Sequence, residues 1–188
     1  MRSPHYFLVE PLGGKRYDNR SNIGGKEVVL STSLEDAKET QRQAIVVTTP
    51  FGYKGPVKDA ALVLTHHNVF RRFFNTQGKE VSSSSHFRGD SFIVEPARIF
   101  MYKNDWVDPW VSLDPYCFIE PSTNDGSSLS GAELKEFWGT VRFANPTMVD
   151  MGLNNGDVVS YKPETEYEFR IEGKVYYRMY INDICLKK

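Results

Sequence analysis

At 188 residues, with 40% hydrophobic residues and a net charge of −1, the chain can bury a core and has no basic excess for general nucleic-acid binding. No apolar run approaches the ~18 residues of a membrane helix. The start, Met1-Arg2-Ser3-Pro4-His5, lacks the apolar stretch of a signal peptide, so the expectation is a soluble, cytoplasmic protein without a membrane partner.

An aromatic content of 13%, with 12 Phe and 10 Tyr, favours β structure, because flat side chains pack well on pleated surfaces. Charge is unevenly spread: residues 1–105 carry 15 basic against 11 acidic groups, and residues 106–188 carry 8 against 13. Two cysteines, Cys117 and Cys185, each fall in an apolar run and read as reduced core thiols.

In chain order, the first strand is Phe7-Leu8-Val9-Glu10-Pro11, ended by a proline that cannot continue a ladder. A long polar stretch, residues 18–43, follows. Within it Ser33 to Thr40 could form a turn or two of helix. Ala44 to Thr48 and Leu62-Val63-Leu64 read as strands. Phe73 to Val81 reads as a hairpin turning at Gln77-Gly78-Lys79, and Ser91 to Tyr102 closes the first half.

The series then recurs. Cys117-Phe118-Ile119-Glu120-Pro121 repeats the first strand 110 positions later. Gly139 to Ala144 matches 44–48, and Val158-Val159-Ser160-Tyr161 matches 62–64. Tyr167 to Val175, turning at Glu172-Gly173-Lys174, matches 73–81, and Tyr176 to Lys187 matches 91–102. Ser130 to Glu136 could form a short helix. Such self-similarity indicates a duplicated domain. The predicted organisation is a domain at 1–104, a linker at 105–115 whose Trp106 and Trp110 pack between the domains, and a domain at 116–188.

The run Gly156-Asp157-Val158-Val159, a hairpin, and Tyr176 to Leu186 with Asn182-Asp183-Ile184 resembles the GroES-type co-chaperonin family. The likeness covers 153–188 best. In the first half Lys58 to Leu64 and Pro96 to Phe100 stand in its place. The resemblance implies an all-β fold of two tandem GroES-like, partly open β-barrels. That family has a long mobile loop between its first two strands, with paired glycines followed by an apolar triplet. Here Gly24-Gly25-Lys26-Glu27-Val28-Val29-Leu30 lies inside residues 18–43, with Lys26-Glu27 inserted between glycines and triplet. The resemblance implies that Val28, Val29 and Leu30 contact a GroEL-type chaperonin, with Gly24 and Gly25 giving the loop its freedom.

A loop of this length in a small domain is itself a functional signal, and three apolar residues in it have no local core to join. The residues alone leave a second reading open, in which Glu27 to Leu30 is a strand and Gly24-Gly25 its turn. The second half offers only Leu129 and Leu134 in its loop, 122–136, so each chain has one anchor. That implies a homo-oligomeric ring of seven on a sevenfold chaperonin. The connections 50–56 and 145–154 leave little room for the family's roof hairpin. Phage-encoded co-chaperonins share that loss, which implies a phage capsid protein as client.

The other constellations are read as structural. His66-His67, adjacent on a strand, would face opposite sides and could not share a metal with His86. Neither cysteine has zinc or catalytic spacing. Ser82 to Ser85 reads as a flexible turn. Arg71-Arg72 beside Phe70, Phe73 and Phe74 reads as a hairpin rather than a nucleic-acid patch. Glu164 and Glu166 read as a solvated strand face. No enzyme activity, cofactor or metal is expected, and ATP would be bound by the partner. The competing expectations are a virion structural or capsid-decoration protein built from the same barrels, and a β-barrel binding domain without a chaperonin link.

Overall fold

The computed structural model describes residues 2–17, 20–23, 26–29, 40–123 and 134–188. The chain divides into two compact units, Met1–Pro109 and Trp110–Lys188, with the break inside the 105–115 segment. The fold is predominantly β. Among the described residues no helix is long and apolar enough to cross a membrane.

Unit 1 contains β1 (Phe7–Pro11), β2 (Arg20–Ile23), β3 (Lys26–Val29), β4 (Gln43–Thr48), β5 (Leu62–Thr65), β6 (Arg72–Phe74), β7 (Glu80–Ser82), β8 (His86–Arg88), β9 (Ser91–Val94) and β10 (Ile99–Lys103). Its main sheet runs β10-β5-β4-β1-β9-β8, with β2–β3 and β6–β7 as separate hairpins. Alternation along the strands points Phe7, Val9, Ala44, Val46, Phe92 and Val94 inward, each at most 1% exposed.

Unit 2 contains β11 (Val111–Ser112), β12 (Tyr116–Thr123), β13 (Leu134–Phe143), α1 (Pro146–Asp150), β14 (Val158–Tyr161), β15 (Tyr167–Ile171), β16 (Lys174–Tyr180) and β17 (Ile184–Lys187). Its sheet runs β15-β16-β12-β13-β14-β17. Read from the other edge, this is the order of unit 1, with β12, β13, β14, β16 and β17 standing for β1, β4, β5, β9 and β10. Cys117, Ile119, Val141, Met148, Val159, Tyr161, Met179 and Ile181 form its core.

The repeat extends to register. Val9 pairs with Val46 and Pro11 with Ala44; Ile119 pairs with Val141 and Pro121 with Gly139. The first ladder slips between Leu8 and Val9, and the second between Phe118 and Ile119, at the same place. Individual hydrogen bonds recur too. Val46 N donates to Ala61 O at 2.9 Å and Val141 N to Asp157 O at 2.9 Å. Thr49 N donates to Asp59 Oδ1, and Ala144 N to Asn155 Oδ1, both at 2.7 Å. His66 N donates to Arg98 O and Lys162 N to Asp183 O. The 3-10 turns Pro96–Arg98 and Ile181–Asp183 occupy matching corners.

Each main sheet is open, and no closed barrel is found among the described residues. Several sequence expectations are corrected. Pro121 does not end its strand: β12 continues to Thr123, with an irregularity absorbing the missing donor. The hairpin Phe73 to Val81 is not the counterpart of Tyr167 to Val175. The counterpart of β15 in the sheet order of unit 1 is β8, and β6–β7 is an addition to unit 1. Similar Gly-Lys turns had matched the two hairpins. Leu134-Lys135-Glu136 is strand, because pairing of Leu134 with Thr123 outweighs the helix preference of those residues; Ser33–Glu39 and Ser130–Glu133 lie outside the described residues.

Of the two tryptophans in the 105–115 segment, Trp110 is buried and Trp106 is exposed. Cys117 is buried and Cys185 exposed on the edge strand β17, so only one of the two is a core thiol. The helix α1 carries a readable signal that sequence analysis passed over. Asn145 accepts from Met148 N at 2.8 Å as N-cap, and Pro146 occupies the first turn.

Candidate functional site

The segment carrying the candidate anchor leaves the sheet after β1 and returns at β4. Val28 and Val29 lie on β3, paired with Ser21 and Arg20 of β2 in an antiparallel hairpin. Residues 26–29 are therefore strand, and Gly24, Gly25 and Leu30 lie outside the described residues. A strand is also a natural form for a recognition segment, since it presents alternate side chains along an extended backbone.

The base of this excursion is built in detail. Tyr17 and Thr40 form an isolated antiparallel bridge, and Gln41 N donates to Arg16 O at 3.0 Å. Thr40 is buried. Arg16 donates through Nε to Phe70 O at 2.9 Å, through Nη2 to Arg71 O at 3.1 Å and through Nη1 to Ser82 Oγ at 3.1 Å. Its guanidinium lies over the Phe92 ring at 5.1 Å. Burial, and then Arg72, lower its pKa, but a guanidinium stays charged at any physiological pH. The Tyr17 hydroxyl accepts from Arg72 N at 2.6 Å. The β6–β7 hairpin therefore braces the neck of the excursion. Sequence reasoning missed Arg16 and Tyr17, because their partners lie 54 to 66 residues away.

Arg71 and Arg72 are accordingly part of a hairpin, and Arg72 also pairs with Glu80 at 3.0 Å. The serine run is fixed rather than flexible: Ser83 Oγ donates to Val69 O at 2.6 Å and Ser85 is buried.

His66 and His67 do not face opposite sides. The chain leaves β5 and enters a 3-10 turn at His67, which stacks the two rings with centroids 4.2 Å apart. His66 Nδ1 accepts from Asn68 N at 3.1 Å. Burial, reinforced by His66, Arg42 and Arg71, lowers the His67 pKa to about 4, so its ring is neutral at pH 7. His86 lies elsewhere, on Gly89 O. No group of three potential metal ligands occurs among the described residues.

Glu164 sits in a turn with φ 61°, so it and Glu166 do not share a strand face. Burial pushes the Cys117 thiol up to about 12, which makes it an unreactive core group. In unit 2 a cavity of about 540 Å³ is lined by Asp114, Thr147, Met151, Tyr180 and Asp183, among others. Its acids have structural partners: Asp114 accepts from Thr147 Oγ1 at 2.7 Å and Asp183 from Tyr180 N at 3.2 Å.

No protein-family model matches the chain, and no curated protein matches its sequence.

Proposed function

We propose that the chain is a co-chaperonin: a non-enzymatic lid whose Val28-Val29-Leu30 segment docks on a GroEL-type chaperonin. The observation that carries this reading is the β2–β3 hairpin, which sets Val28 and Val29 on a strand within a long excursion braced at its neck. The second unit has only residues 124–133 between its corresponding strands, and no apolar triplet. The resemblance of 153–188 to the GroES-type family, and the repeat of the same sheet order in both units, support GroES-like domains in tandem. In this reading seven copies form a ring, the partner binds and hydrolyses ATP, and the enclosed client is a phage capsid protein.

Energetics fit a reversible lid. Burying large apolar side chains contributes roughly 1.5–3 kcal/mol each, and ordering the segment offsets part of that. The test mixes the full chain with a GroEL-type chaperonin, with and without ATP, and follows co-elution and ATPase inhibition. Nucleotide-dependent binding that Val29→Asp or Leu30→Asp abolishes is the expected result. Equal behaviour of wild type and both variants refutes the assignment and leaves the capsid-decoration alternative.

A further inference from the structure

We infer that Arg16 is a positioning residue, which with the added β6–β7 hairpin holds the neck of the 18–39 excursion so that β2–β3 meets its partner from a fixed base. The inference rests on the reading of that hairpin as the chaperonin-binding element.

The geometry is specific to an arginine. Two of its acceptors, Phe70 O and Arg71 O, lie where the chain enters β6, and the third, Ser82 Oγ, ends β7. One planar fork thus ties both strands of the added hairpin to the last residues before the excursion, which a single ammonium cannot do. The guanidinium also rests on Phe92, a fully buried residue of β9, so the brace is referred to the core. On the returning side, Thr40 is held by the bridge to Tyr17 and Gln41 by Arg16 O. Tyr17 repeats the connection through Arg72 N.

Hairpin and excursion occur together. Unit 2 passes from β14 to β15 through a short turn at 162–166, with no inserted hairpin, and has no long excursion. A segment closed at its base has fewer conformations to lose on docking, so bracing the neck raises affinity without touching the partner.

The test compares wild type, Arg16→Gln and Tyr17→Phe in the full chain. Hydrogen exchange is read at residues 20–29 and at Val9, Val46 and Phe92, and affinity for a GroEL-type chaperonin with ATP is measured in parallel. Arg16→Gln is expected to speed exchange at 20–29 and to weaken binding by roughly tenfold, while the sheet amides stay protected. Tyr17→Phe, which keeps the ring and serves if Arg16→Gln unfolds, is expected to give about threefold.

Rescue separates positioning from mere stability. Antiparallel partners lie about 4.5–5.5 Å apart at Cα, within disulfide reach. In a Cys185→Ser background, Arg16→Gln with Tyr17→Cys and Thr40→Cys should regain affinity when oxidised and lose it when reduced. Unchanged exchange at 20–29, or faster exchange with full affinity, overturns the positioning role. A wild-type chain that binds no chaperonin, with exchange still accelerated by Arg16→Gln, refutes the chaperonin reading and retains the brace.

Discussion

Unit 1 packs Phe7 on its first strand and Thr65 at the end of β5, whereas unit 2 has Cys117 and Tyr161 at those places. The side-chain volumes are redistributed, yet the strand order, the slips in register and single backbone hydrogen bonds are the same. Backbone pairing is thus what the two units share, and side chains fill whatever space it leaves. Unit 2 carries α1 between β13 and β14, and unit 1 makes two additions of its own. One is the excursion between β1 and β4, and the other the β6–β7 hairpin between β5 and β8, and the two additions are bonded to each other through Arg16 and Tyr17. One elaboration is thus joined to a second, on a scaffold that does without both in unit 2, and the proposed function rests on that difference.

The sharpest difference within the shared sheet is Ala44 against Gly139. A Cβ on Gly139 would collide with Ile119 Cγ2 and Glu120 O, whereas Ala44 carries a Cβ at the same register. Gly139→Ala is expected to cost unit 2 about 2–3 kcal/mol, read as faster exchange at Ile119 and Val141 with unit 1 amides unaffected. Equal protection in the variant would mean that position 139 has the room for a Cβ that Ala44 has, and the contrast between the two ladders would fall.

A smaller effect separates Ala60 from Gly156, which both hold positive φ, 66° and 96°, at the turn entering β5 and β14. Gly156→Ala should lose roughly 1 kcal/mol, and Ala60→Gly should gain about 0.5 kcal/mol as strain relief outweighs added chain entropy. Denaturant unfolding followed by exchange in each unit measures both. Changes of the same sign would break the equivalence of the turns.

His67 provides the third contrast, since Pro163 occupies its place in unit 2. Its folded pKa of about 4 lies below the usual 6.5, so the unfolded chain takes up the proton first as pH falls. Unit 1 stability should therefore drop between pH 6.5 and about 4 and stay level with respect to this group below that. After allowance for solvent screening of a half-exposed ring, the loss is about 1 kcal/mol. Exchange at Val63 and Met101 at pH 7 and pH 5 tests it, and His67→Gln should flatten the slope.

Much of this pattern was legible in the sequence. The repeated Glu-Pro strand, the match of 62–64 with 158–161 and the 91–102 match with 176–187 all reappear as paired strands. These are short-period signals, in which alternation and turn residues act locally. What escaped was set by distant partners. The hairpin mismatch arose because turn chemistry is local while sheet position is not. The stacked histidines arose because the strand ends at Thr65, before either of them. Leu134 to Glu136 became strand through Thr123, and the Arg16 brace depends on residues of the β6–β7 hairpin. At the candidate anchor, the sequence showed the apolar triplet and left both a free loop and a strand open. The strand holding Val28 and Val29 is the backbone form described.

The division of labour between the units is tested most directly by one paired titration against a GroEL-type chaperonin with ATP, using Val29→Asp and Leu129→Asp in the full chain. Val29→Asp should weaken binding on the order of 100-fold, by losing apolar burial and placing a charge in the docked segment. Leu129→Asp, between β12 and β13 in the sequence of unit 2, should leave affinity within about twofold, because that stretch has no apolar triplet to dock. Equal losses from the two substitutions, or none from either, would contradict the assignment of the grip to unit 1.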